Sequence, residues 1–220
     1  MCCLWGRFMS VMERYRAVRE VGLTLNHKMI ESRLDHDVLY GSARLLGILK
    51  GDQLVFESED EASVLMDFAL HEYKLNGRSA VEIYRKKVGG KDEVEDEILA
   101  SLPSAYTSLF EIVAISGNTI TLKDLLREED RLIRVIDIGF SLTGAPGMLI
   151  FTRIVPFKDF NLTSGISFPF RGRLKKRLVR RYRRISKKIK SDSDSMKRFI
   201  AFFKLNRKYG EKAVYLSTWK

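Results

Sequence analysis

LFEIVAI (Leu109–Ile115), TITLKDL (Thr119–Leu125), RLIRVIDI (Arg131–Ile138), GMLIFTRIVPF (Gly147–Phe157) and SGISFPF (Ser164–Phe170) are five short runs rich in β-branched and aromatic residues. From Ser108 onward the hydrophobic period drops from about 3.6 to 2, the period of side chains alternating across a strand. Gly117-Asn118, Glu128 to Asp130, Gly144 to Gly147 and Lys158 to Asn161 separate the runs and have the composition of turns. In the Ala145-Pro146-Gly147 corner, Pro fixes φ and Gly permits the left-handed position. Strands this short, at this spacing, predict a small antiparallel sheet or barrel of about 60 residues.

Upstream, the pattern is helical. Val11, Tyr15, Val18, Leu25 and Met29 recur at helical spacing, with Gly22 as a weak point. Leu39 to Leu49 repeats the pattern, and the turn Gly51-Asp52 leads into a strand-like Gln53 to Phe56. Ser58 with Glu61, and Ser79 with Glu82, have the capping-box spacing, in which hydroxyl and carboxylate satisfy each other's orphan amides. They predict one helix burying Val64, Leu65, Phe68 and Tyr73 as far as Gly77, and a second burying Val81, Ile83 and Tyr84 as far as Gly89-Gly90. A third, Asp92 to Leu102, is closed by Pro103.

Downstream lies RGRLKKRLVRRYRRISKKIK (Arg171–Lys190), with twelve Lys or Arg and no acid. Leu174, Leu178, Tyr182, Ile185 and Ile189 advance by three or four, so they form one apolar stripe on a helix that is otherwise basic. After the polar break Ser191 to Ser195, Met196, Phe199, Ile200 and Phe203 predict another helix ending before Gly210. Ala213 to Trp219 is read as a closing strand or docked tail. The expectation is an α+β protein with a helical region (1–104), a small β-rich module (105–170) and the basic helix with a second helix and tail (171–220), packed with the rest.

Charge is unevenly placed. Of a net +11 over 220 residues, the basic run contributes +12 and residues 191–220 contribute +4, which leaves the first 170 at −5. An acidic body with a basic end suggests a polyanionic partner, nucleic acid or an anionic membrane face. Cys2 and Cys3 are the only cysteines, so thiols supply neither a disulfide framework nor a four-ligand zinc site, and a reducing cytoplasmic setting is expected. S-acylation of the pair beside Arg7 is the weaker reading, and Met9 and Met12 are alternative start sites. No apolar run has the roughly 18 residues that span a bilayer, and the first twelve are too short for a secretory signal.

Three segments carry a resemblance: DFALHEYKLNGRSAVEIY (Asp67–Tyr84), YTSLFEIVAISGNTITLKDLL (Tyr106–Leu126) and PGMLIFTRIVPF (Pro146–Phe157). Together, over about half the chain, they resemble a region of uncharacterised bacterial proteins that often carry a C-terminal SEC-C zinc motif. The resemblance implies helices preceding a β-rich module and brings no activity. The motif itself, a C-x-C with a later Cys-His pair, is absent here, so its zinc role does not transfer.

His27, His36 and His71 have no second histidine at helical ligand spacing, and adjacent side chains in Asp35-His36-Asp37 do not converge on one ion. Surface or capping roles are expected for the histidines, and no metal or cofactor is expected. The acidic clusters Glu57 to Glu61 and Asp92 to Glu97 sit at helix starts, where negative charge complements the dipole. Glu111, Asp124 and Asp137 lie along the strands and could line one face of the sheet. With no catalytic motif, the leading expectation is a non-enzymatic nucleic-acid-binding protein. Its phosphate contacts are Arg173, Lys175, Lys176, Arg177, Arg180, Arg181, Arg183, Arg184, Lys187 and Lys188, and RNA or DNA is the partner. The alternatives are a regulatory or interaction module whose basic helix meets an acidic protein, and an enzyme with a cleft between the sheet and the N-terminal helices.

Overall fold

A computed structural model describes residues 9–127 and 132–211; Cys2, Cys3, the Glu128 to Asp130 separator and the expected Ala213 to Trp219 strand lie outside them. The first helix, α1 (Val11–Arg33), opens on a capping box: the Ser10 hydroxyl accepts from the Glu13 amide, and the Glu13 carboxylate accepts from the Ser10 amide. It passes unbroken through Gly22 and buries Tyr15, Val18, Leu25 and Met29. Next come α2 (His36–Leu46), a hairpin of β1 (Leu49–Lys50) and β2 (Gln53–Leu54), and α3 (Asp60–His71). A second hairpin, β3 (Lys74–Leu75) and β4 (Arg78–Ser79), precedes α4 (Ala80–Lys87) and α5 (Glu93–Ser101).

Two local expectations fail here. Ser58 does not cap α3, whose N-cap Glu59 makes no side-chain hydrogen bond. The Glu61 carboxylate that would complete the box is instead buried against Arg207, at 2.7 and 2.8 Å from its Nε and Nη2. Nor does the helix continue to Gly77: Asn76 and Gly77 both take positive φ (53° and 81°), the turn chemistry that Asn-Gly favours, and the chain reverses there. The Ser79–Glu82 box forms as expected and opens α4.

The β-rich segment closes into a barrel. Strands β5 (Tyr106–Ser116), β6 (Thr119–Asp124), β7 (Leu132–Ile136), β8 (Leu149–Pro156) and β9 (Asn161–Phe170) run in the order β5-β6-β7-β9-β8, and β8 pairs back onto β5. Its ladders are antiparallel except for β7 beside β9, which are parallel at Ile136 and Leu162. A helix not expected from the sequence, α6 (Ile138–Thr143), joins β7 to β8 and is capped by Asp137, which accepts from the Phe140 amide. This is the connectivity of a five-stranded Greek-key barrel of the OB type. Phe110, Ile112, Ile120, Leu122, Val135, Ile150 and Ile154 fill its interior.

Helices cover much of the barrel's outside. The last two are α7 (Lys175–Ser186) and α8 (Asp194–Tyr209). Phe199, Phe202 and Phe203 of α8 meet Phe151 and Phe168 of the sheet, with Phe151 stacked on Phe202 at 4.5 Å between ring centroids. On another side α1, α4 and α5 pack with Ile136, Val155, Phe160 and Leu162. The protein is α+β, with helical elements before and after a small barrel.

Candidate functional site

The basic run is not one helix. Gly172–Leu174 forms a single 3-10 turn, α7 proper covers twelve residues, and Lys187 to Lys190 lie beyond its end. At 1.5 Å per residue α7 is about 18 Å long, shorter than the roughly 30 Å expected of a helix over the whole run. Its apolar stripe is fully engaged. Leu178 is completely buried, and Leu174, Val179, Tyr182, Ile185 and Ile189 pack against the same core. Tyr182 stacks on Phe202 of α8 at 5.3 Å.

Because that stripe faces α8, the remaining arc of α7 points to solvent. Arg173, Lys176, Arg177, Arg180, Arg183, Arg184, Lys187 and Lys188 are exposed, while Lys175 and Arg181 are half-buried. Lys175 is committed to an ion pair, with Nζ 2.6 Å from the Glu111 carboxylate, and Arg171 pairs with Glu211 at 2.6 Å. Among the described residues, no ion pair engages the other nine cations expected to contact phosphate. Arg180, Arg181, Arg184, Ile185 and Lys188 line a shallow hollow of about 250 Å³. The structure therefore brings these cations onto one surface. It also adds members that the linear run does not contain: exposed Lys208 of α8, and Tyr209, whose ring lies beneath Arg177 and Arg181.

A second charge cluster lies between α3 and the barrel and has the opposite character. Arg153 of β8 donates from Nη2 to Asp67 at 2.9 Å, and its Nη1 lies 3.0 Å from Glu72; their side chains are 5%, 9% and 2% exposed. Burial opposes ionisation of Asp67, yet the Arg153 guanidinium, with His71 behind it, holds its carboxyl below the usual range. His71, 3.9 Å from Asp67, is pushed down to about 4 by burial and by the charge of Arg153. This buried placement differs from the surface or capping role expected of the histidines. The junction of sheet and N-terminal helices, where a cleft was one expectation, holds these buried and mutually paired groups.

The strand acids are each spent separately. Glu111 holds Lys175; Asp137 caps α6 and accepts from Thr163; Asp124 accepts from Ser108 Oγ at 2.5 Å and from the amides of Leu126 and Arg127. Asp124 also borders a hollow of about 420 Å³ at one barrel end, with Tyr106, Arg127, Arg134 and Asn161. Among the described residues no three His, Cys, Asp or Glu side chains are placed to hold a metal ion. The acidic clusters at helix starts are structural: Asp92 caps α5, Glu95 pairs with Lys28, and Glu57 and Glu61 pair with Arg207.

In OB barrels, oligonucleotides bind across the second and third strands and the loops between strands one and two and strands four and five. Here the first of those loops is the two-residue turn Gly117-Asn118. The second, Phe157 to Phe160, is docked on α1, with Phe160 edge-on to Tyr15 at 6.2 Å and Asp159 paired to Arg14. The barrel's customary loops are thus short or occupied, and the densest run of cations without ion-pair partners among the described residues is on and beside α7.

The chain belongs to a family described as "Family of unknown function (DUF7986)", which it matches over residues 9–216. No curated protein matches it, and no solved structure does. Among the described residues no helix is long and apolar enough to cross a membrane.

Proposed function

We propose that this protein binds nucleic acid through the solvent face of α7 and does so without enzymatic chemistry. The observation that carries the reading is a set of nine cations on and just beyond α7, without ion-pair partners among the described residues, held in place because the helix's apolar stripe is buried on α8. A basic amphipathic helix that bound a bilayer would need that stripe free to enter the acyl boundary. Here only charge is on offer. The exposed arc carries no Trp, Phe or Tyr, and the half-buried Tyr209 ring lies beneath Arg177 and Arg181, so the surface supplies phosphate contacts rather than base stacking, and binding should tolerate sequence. RNA or DNA in the cytoplasm is the partner this reading names. The likeness to proteins bearing SEC-C motifs adds no activity to it.

The test is a titration of the full chain with generic duplex and single-stranded RNA and DNA at 50 and 200 mM salt. If about six cations meet phosphates, affinity should fall roughly a thousandfold between those conditions. Absence of binding at low salt would reject the reading and favour the acidic-protein alternative.

A further inference from the structure

Three cations of this surface converge on one ring. The guanidinium carbons of Arg177 and Arg181 lie 5.2 and 5.5 Å from the Tyr209 centroid, and Lys208 Nζ lies 5.7 Å from it. Those distances keep every pair of the three charges within about 11 Å, so salt with its ~8 Å screening length weakens their mutual repulsion without removing it. The carboxylate nearest in sequence, Glu211, is engaged by Arg171. The aromatic face is what compensates the repulsion, at ~0.5–1 kcal/mol per exposed cation. A ring differs from a carboxylate in one respect that matters here: it orients a guanidinium without consuming its N–H donors. Arg177 and Arg181, one helical turn apart, therefore present two planar forks beside an ammonium, with no side-chain hydrogen bond or ion pair to any of the three among the described residues.

We propose that Arg177, Arg181 and Lys208, with Tyr209 as their positioning residue, form an anchoring subsite for two adjacent phosphates of a polynucleotide backbone. Two forks and an ammonium match the oxygens and charge of linked phosphates, and bidentate Arg contacts are the stronger kind of phosphate contact. Lys208 and Tyr209 thereby join α8 to the site. The subsite rests on the nucleic-acid reading for its natural ligand, but its chemistry can be measured without one.

The experiment is calorimetric titration of the full chain with inorganic pyrophosphate in low salt, on variants whose thermal midpoints match the wild type. Saturable one-to-one binding is expected, retained by Tyr209→Phe, weakened severalfold by Tyr209→Leu, and weakened at least tenfold by Arg177→Gln with Arg181→Gln. Lys86→Gln with Lys87→Gln, at the exposed end of α4, should leave it unchanged. No saturable binding, or equal losses in the two double variants, would overturn the subsite. Pyrophosphate binding in a protein that fails to bind nucleic acid would keep the subsite and reject the wider function.

Discussion

The outer face of α7 and the pocket around Arg153 are both rich in charge, and they use it in opposite ways. At Arg153 the charges are buried and mutually paired; on α7 they are exposed or half-buried and, apart from Lys175, without ion-pair partners among the described residues. A buried charge must be matched or the fold suffers, because desolvation is repaid only by a partner. An exposed charge carries no such obligation. The comparison teaches that substitutions in the first region should change stability, and substitutions in the second should change binding.

The largest effect is expected at Arg153. Arg153→Met strands Asp67 and Glu72 as buried carboxylates, and chemical denaturation should show a loss of about 3–5 kcal/mol. A loss under 1 kcal/mol would mean that water reaches the cluster. His71 gives a pH signature in the same pocket. The unfolded chain protonates it near 6.5 whereas the folded protein resists until about 4, so the unfolded state binds more protons between those values. Stability should therefore fall as pH drops from 6.5 to 4, by on the order of 3 kcal/mol, and thermal midpoints across that range would show it. Asp67, held below its ordinary 3.8, adds a further loss at lower pH as it takes up a proton. In His71→Gln the decline between 6.5 and 4 should flatten.

A smaller contrast lies in the two Ser-Glu pairs. Ser79→Ala removes a formed cap and should cost about 1 kcal/mol, whereas Ser58→Ala should be nearly silent. Equal losses would show that Ser58 supports α3 in a way its hydrogen bonds do not reveal. Smallest of all, replacing Arg180, Arg183, Arg184 and Lys187 by Gln should move folding stability by no more than about 0.5 kcal/mol.

Those two serines also show what sequence can and cannot specify. Ser79 with Glu82 was legible because both partners sit within one turn and nothing distant competes. Ser58 with Glu61 has the same spacing, but Arg207 claims the carboxylate from 146 positions away. The strands were legible from their period. Closure of the barrel was expected only as the alternative to an open sheet, since it depends on Ile136 meeting Leu162 and β8 returning to β5. The basic arc and its apolar stripe were visible in the run itself. Lys208 and Tyr209 were not, because only the packing of α7 on α8 brings them beneath Arg177 and Arg181. The helix that was overlooked, α6, is six residues long and has strand-like composition at its start.

On the proposed function, charge on α7 is held in reserve for a polyanion. The most direct test is the slope of log affinity against log salt for generic nucleic acid, wild type beside the Arg180, Arg183, Arg184 and Lys187 to Gln variant. A steep negative slope is expected in the wild type, shallower by about 3 in the variant at ~0.7–0.9 per lost phosphate contact, with unchanged stability. Identical slopes in the two proteins would contradict it.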